Sequence, residues 1–463
     1  MKYIEVTSPF DGSVVGSVPF QTTQQVQEAI DLANKTFLDH KNHLPKHQRV
    51  AILEKVAALM SDRAEALTKL CASEGGKPWM DSQVEVQRAI GGVKLAIEAL
   101  GAQEGKEVAM GHTASSVNRI AFTFHEPIGV VAAISAFNHP LNLAVHQVIP
   151  AVATGCPVII KPATQTPMSA LALIEMLKEA GLPTGWAQAV VCGREGAELL
   201  ATSPKINFLT FIGSGAVGWH LNAKVAPGTR VALEHGGVAP VIVEPDADLE
   251  ELIPAIGKGG FYHAGQVCVS VQRVYVHASI CDEVAKRLSA YASGLIVGNQ
   301  LDPKTEVGPL ITPREVDRVE EWVDEAVSQG GVVLTGGKRI SATCFAPTVI
   351  LNPSDTALVS TKEVFGPVVC VYAYKEMEEA IERANVLEVS FQAAVFTKNI
   401  DKALQAVKRL NGTAVMVNDH TAFRVDWMPF GGAKASGLGI GGIGHSMKDM
   451  TNEKLVVIKS KAL

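Results

Sequence analysis

The sequence predicts an α/β fold with two doubly wound parallel-sheet domains and a small separate β element. Three observations carry that expectation. Beyond about residue 130, short apolar runs at Val130–Ile134, Val158–Lys161, Ala189–Val191 and Phe208–Phe211 alternate with helical patterns over Leu141–Val152, Pro167–Ala180 and Gly196–Ala201. Strands that alternate with helices in this way lie parallel, with helices on both faces. A second alternating block runs from Leu252 to about Val417, with strands near Val274–His277, Val332–Leu334, Val368–Tyr374 and Ala393–Thr397. A chain of 463 residues is also too long for one hydrophobic core.

The remaining elements follow from local pattern. From about Thr23 to Gln103 apolar residues recur at three- and four-residue spacing, as in Val26, Ala29, Ile30 and Ala33, and Asp62–Leu70 and Val84–Leu100 continue the helical pattern. Ser115–Phe124 changes to strand-like alternation and reads as an exposed hairpin feeding the buried run after Pro127. Lys454–Lys459 reads as one strand, expected to pair with that hairpin in the same or a neighbouring subunit.

Composition narrows the function. Hydrophobic residues at 47% and charged residues at 19% describe a well-packed globular chain, and a net charge of -6 offers no long-range attraction to nucleic acid or anionic lipid. A small-molecule client is expected, with no nucleic-acid or membrane partner. The seven cysteines are scattered and lack paired CxxC spacing, which predicts neither a disulfide framework nor a metal site. With no basic-then-apolar leader and no apolar run of about 18 residues, a cytoplasmic location is expected.

Two segments carry the chemistry. Phe261–Cys268 offers a thiol in a loop flanked by glycine, and Leu233–Gly237 offers the Glu234 carboxylate beside a glycine pair. A cysteine that attacks a carbonyl carbon must be a thiolate, and the resulting acyl-enzyme needs a base to activate water. Asn138, after the buried Val130–Ile134 run, is placed to donate an amide N–H to an oxyanion together with the Cys268 N–H. Lys161 ends a parallel strand at the edge where doubly wound sheets bind ligands. Gly213, Ser214 and Gly218 open a predicted helix, where glycines let a diphosphate approach free N–H groups. Each has a plain structural alternative: a buried cysteine, a turn-forming asparagine, a solvated lysine, an ordinary strand-to-helix turn.

Taken together these segments resemble the aldehyde dehydrogenase family over essentially the whole chain. Asn138 falls in its Asn-x-Pro turn, Lys161 in its Lys-Pro strand end and Gly213–Gly218 in its Phe-x-Gly-Ser-x-x-x-Gly segment. Glu234 falls in Leu-Glu-x-Gly-Gly, Cys268 in Gly-Gln-x-Cys, Glu363 in Glu-x-Phe-Gly-Pro, and Pro429–Gly437 completes the series. The resemblance implies an NAD(P)+-dependent enzyme in which Cys268 is the nucleophile, Glu234 the base for thioester hydrolysis and Asn138 the oxyanion donor. It places Lys161 and Thr164 at the adenosine ribose, Gly213, Ser214 and Gly218 near the diphosphate, and Glu363 with Phe365 at the nicotinamide ribose. It implies a dinucleotide-binding domain over residues 1–108 and 128–235, a catalytic domain over 236–435, an oligomerisation element over 109–127 and 445–463, and a homodimer or homotetramer.

Departures from the family pattern address specificity. Many NAD-preferring members carry glutamate where this chain has Thr164, and threonine does not repel a 2′-phosphate, so NADP is expected alongside or ahead of NAD. Arg424, six residues before Phe430, stands where members acting on apolar aldehydes have an aromatic ring, and His146, eight residues after Asn138, is likewise often aromatic. With His139 and His420 these residues predict a cationic mouth for a short aldehyde bearing a distal anion. The closest likeness is to the branch with lactaldehyde, phosphonoacetaldehyde and non-phosphorylating glyceraldehyde-3-phosphate dehydrogenases. Alternatives are a neutral substrate such as lactaldehyde, a structural role for Arg424 in pairing with Asp426 or Glu363, and a thiol acyl-transfer enzyme or esterase without hydride transfer.

Overall fold

The computed structural model describes residues 2–463. One sheet has six strands in the order Gly437–Leu438, Arg230–Glu234, Phe208–Ile212, Val131–Ile134, Val158–Lys161, Ala187–Ala189, all parallel except the first. The chain winds outward from Val131–Ile134 in one direction and returns to start the other half at Phe208–Ile212. The crevice between these two strands is therefore the topological switch point, where such sheets bind ligands at their carboxyl ends. Both faces of the sheet are covered, as its sequence demands: Val131 and Ala133 pack into one core cluster, and Ala132 and Ile134 into another on the opposite face.

The second sheet has seven strands, ordered Val332–Thr335, Thr348–Leu351, Val368–Tyr374, Val271–His277, Ala239–Val243, Gln392–Phe396, Ala414–Val417, with only Val332–Thr335 antiparallel. The strands at 239–243, 348–351 and 414–417 are additions to those read from the sequence. The expected helical region over residues 23–103 resolves into four helices, Thr23–Leu38, Lys46–Asp62, Ala64–Gly75 and Trp79–Gly101. The expected β element forms a three-stranded antiparallel sheet in which Thr451–Lys459 pairs along the full length of Arg119–Pro127 within the same chain, with Glu107–Val108 on the far side. Among the described residues no helix is long and apolar enough to cross a membrane.

Two buried carboxylates fix the helices that position the site. Glu85, fully buried on the Trp79–Gly101 helix, accepts from the backbone N–H groups of Leu141 and Asn142 at 3.0 Å each and pairs with the equally buried Lys77. It thereby satisfies two of the free donors at the start of the Pro140–Thr154 helix, which follows Asn138 directly. Glu74 does the same for Met168 and Ser169 at 2.8 Å each, beside the Lys161 strand end.

Candidate active site

The carboxyl ends of the first sheet face the loops that precede Val271–His277 and Val368–Tyr374, and a cleft of about 730 Å³ lies between them. Cys268, Glu234, Asn138, His139, Lys161, Thr164, Gly213, Ser214, Glu363 and Phe365 all line it. Residues separated by more than two hundred positions in sequence thus share one cavity.

The loop that presents the thiol is held by its own backbone. His263 and Ala264 both adopt left-handed φ values, 48° and 53°, rare for side-chain-bearing residues, so this short turn is over-determined by its surroundings. Gln266 supplies much of that constraint: its side chain donates to His263 O and Pro309 O and accepts from the Ile311 N–H, all within 3.3 Å. The Gln266 carbonyl accepts from Asn138 Nδ2 at 2.9 Å. This bond fixes the Asn138 amide beside the thiol and leaves its second N–H for another acceptor.

Electrostatics around the thiol are set by burial. The Cys268 thiol is pushed well above its ordinary value, first by burial and then by the Glu234 charge, with Arg424 acting in the opposite sense. Burial also raises the Glu234 carboxyl, again opposed by Arg424. A thiol raised in this way rests protonated, so attack on a carbonyl needs a base to take its proton, and the Glu234 carboxylate lines the same cavity.

Other residues on the cleft wall suit a dinucleotide. Glu363 is half-buried, its Oε1 is shielded from solvent with no hydrogen-bond partner among the described residues, and desolvation pushes its carboxyl up to about 8. An acceptor left open on a cleft wall suits a ribose hydroxyl donor. Gly236 permits that placement, since a Cβ there would stand 1.9 Å from Glu363 Oε1. Lys161, its ammonium donating to Pro162 O at 3.0 Å and its pKa lowered by burial, borders the cleft beside the exposed Thr164. Phe365 holds a left-handed φ of 45° and packs edge-on against Phe137.

Several sequence expectations are corrected. Gly218 does not line the cleft, and a Cβ there would lie 1.9 Å from the His235 ring, so packing by itself calls for glycine. His146 and His420 are also absent from the cleft wall. His146 is buried, meets Asp426 Oδ1 at 2.8 Å, and is lowered by burial to about 4, so it stays neutral and contributes no cation. His139 does line the cleft, but burial holds its pKa well below the usual range and its ring meets the Tyr262 hydroxyl at 3.2 Å. The cationic mouth therefore reduces to arginine.

Arg424 borders the cleft, its guanidinium carbon 3.5 Å from the centre of the Phe430 ring. Its Nε is buried and, among the described residues, without a partner; Arg88 rather than Arg424 pairs with Asp426. Arg88, also on the cleft wall, grips Asp426 through Nε–Oδ2 at 3.1 Å and a terminal nitrogen to Oδ1 at 2.7 Å. The sequence reading missed Arg88. Its signal was the stripe Asp81, Glu85, Arg88 at four- and three-residue spacing, a charged face on a helix whose other buried positions are mostly apolar.

Comparison with known proteins agrees with this geometry. The aldehyde dehydrogenase family model matches residues 1–456. The chain is 38% identical over 456 residues to 3-sulfolactaldehyde dehydrogenase of Priestia megaterium, spanning 98% of this chain and 94% of the relative. Among solved structures, aldehyde dehydrogenase 21 from Physcomitrella patens in complex with the reaction product succinate superposes with a TM-score of 0.95 at 36% identity, covering 99% of this chain and 95% of the other. The glyceraldehyde-3-phosphate dehydrogenase GapN from Methanocaldococcus jannaschii, complexed with NADP, gives 0.94 at 36% identity and 99% coverage of both. The acyl-transfer alternative, which leaves the segments around Lys161, Gly213 and Glu363 unexplained, is thereby set aside. The chain belongs to the aldehyde dehydrogenase family and is an NAD(P)+-dependent enzyme of that class.

Proposed function

We propose that the protein oxidises a short aldehyde carrying a distal anionic group to the free carboxylic acid, accepting NADP+ at least as readily as NAD+. The observation that carries this reading is the uncommitted Arg424 guanidinium on the wall of the cleft that holds Cys268 and Glu234. An arginine fork in a water-poor wall favours carboxylate, phosphate or sulfonate over a neutral hydroxyl.

In the mechanism this implies, Cys268 loses its proton through Glu234 to solvent, and the thiolate Sγ adds to the aldehyde carbon while the second Asn138 N–H and the Cys268 N–H receive the developing oxyanion. When bound, the nicotinamide cofactor supplies the hydride acceptor; Glu363 and Phe365 would hold its ribose, Gly213 and Ser214 its diphosphate, and Lys161 and Thr164 its adenosine ribose. Loss of hydride from the thiohemiacetal carbon leaves a Cys268 thioester. Glu234 then takes a proton from the water that cleaves it, and the retained carboxylate favours hydrolysis over transfer to another thiol.

The two large sheets support the proposed cofactor and catalytic domains. The sheet containing Thr451–Lys459, where Leu455, Val457 and Ile458 are exposed, supports a homodimer or homotetramer. A neutral aldehyde such as lactaldehyde is the second reading, and the pairing of Arg88 with Asp426 favours it by removing one of the two cations. Steady-state formation of reduced cofactor tests the choice, with succinic semialdehyde, glyceraldehyde 3-phosphate, lactaldehyde and hexanal offered with each cofactor. An anionic aldehyde with the highest kcat/KM supports the proposal; lactaldehyde or hexanal in that place overturns it.

A further inference from the structure

Asp426 collects four hydrogen bonds from three side chains on two helices. Beyond the two from Arg88, it accepts from Asn142 Nδ2 at 3.3 Å and meets His146 Nε2 at 2.8 Å. Asp426 is 5% exposed, and these donors outweigh the effect of its burial and hold the carboxyl far below the usual range. His146 stays neutral, so the Arg88–Asp426 pair adds no net charge to the distal wall. What remains there is one positive charge, Arg424, with the Glu234 carboxyl nearby in the same cleft.

We propose that Asp426 is a specificity-determining residue: by neutralising Arg88 it tunes the distal wall to a singly charged group, a sulfonate or carboxylate, and against a dianionic phosphate or phosphonate. The inference rests on the anion-site reading of Arg424. Its physical basis is that the cost of drying an ion grows with the square of its charge, while its attraction to one guanidinium grows only in proportion. A second negative charge therefore adds more cost than gain unless a second free cation meets it, and Glu234 would repel it further. Arg88 is placed to be that second cation, and Asp426 withholds it.

The test uses two aldehydes of one shape and different charge, 3-sulfopropanal and 3-phosphonopropanal, at a pH where the phosphonate is dianionic, with 4-hydroxybutanal as the neutral analogue. The wild-type enzyme is expected to favour the sulfonate in kcat/KM by at least about tenfold, the scale of one uncompensated charge near a protein surface. Asp426→Asn, which frees Arg88, is expected to shrink that ratio by at least about tenfold, and Asp426→Asn with Arg88→Met to restore it. A wild-type enzyme that uses the phosphonate as well as the sulfonate, with both far ahead of the neutral analogue, overturns this proposal and leaves the anion site standing. An unchanged ratio in a folded, cofactor-binding Asp426→Asn variant also overturns it. If the neutral analogue matches both anions, the underlying Arg424 reading fails and this one with it. The wild-type comparison decides the question even if the variants do not fold.

Discussion

Arg424 lies over the face of Phe430, guanidinium carbon to ring centre 3.5 Å, and this stacking together with the nearby Glu234 charge favours a cation whose buried Nε has no hydrogen-bond partner among the described residues. The ring offers its negative face and the planar fork keeps its edge free for hydrogen bonding. Phe430→Leu should loosen the guanidinium. Cation–π contacts of this kind contribute about 0.5–2 kcal/mol, so KM for an anionic aldehyde should rise roughly two- to thirtyfold with a smaller change in kcat. Steady-state kinetics of the variant check this, and an unchanged KM would contradict it.

Thr164 is exposed at the end of the Val158–Lys161 strand, beside Lys161 on the cleft wall. A glutamate there would repel a 2′-phosphate and accept from ribose hydroxyls instead. Thr164→Glu is expected to lower kcat/KM for NADP+ by at least about tenfold while NAD+ falls less or gains. Parallel saturation curves for the two cofactors measure the shift.

Glu363 is raised by burial to about 8, so at neutral pH its folded-state carboxyl is largely protonated. Ribose hydroxyls that donate to the charged form would lower that value, and a fall in pKa on binding means proton release. Cofactor binding near neutral pH should therefore release up to about one proton per site, read from the dependence of binding enthalpy on buffer ionisation. Glu363→Gln should abolish the release. Release that persists in this variant would place the titrating group elsewhere.

Burial raises Glu234 as well, and hydrolysis of the thioester needs it as the carboxylate. Deacylation should accordingly increase as pH rises through a pKa above the ordinary carboxylate value and level off once the group is ionised. In Glu234→Gln, acylation should survive while deacylation falls by roughly 10²–10⁴-fold, the usual contribution of a general base. Covalent enzyme would then accumulate and be visible by mass spectrometry after rapid quenching.

How much was legible in the sequence follows from how far each interaction reaches. Cys268, Glu234, Asn138 and Lys161 could be named in advance because each sits in a short segment whose neighbours constrain it, and Glu363 through the family resemblance; all five line one cleft. The strands Val158–Lys161 and Val368–Tyr374 were legible to the residue because buried parallel strands are continuous apolar runs. Thr348–Leu351 and Ala414–Val417, as short as Val158–Lys161, were not read. His146 was misread as a cationic group at the mouth because its partner, Asp426, lies 280 positions away. Arg88 was missed for the same reason, its partner being 338 positions distant.

The central claim is that Arg424 recognises a distal anion, and the most direct measurement is kcat/KM for succinic semialdehyde relative to 4-hydroxybutanal in the wild type and in Arg424→Leu. Loss of a charge-assisted contact of about 1.5–3 kcal/mol predicts that this ratio falls roughly 10- to 150-fold in the variant, with turnover of the neutral aldehyde retained. An equal ratio in both proteins would contradict the account and leave Arg424 with a purely structural role.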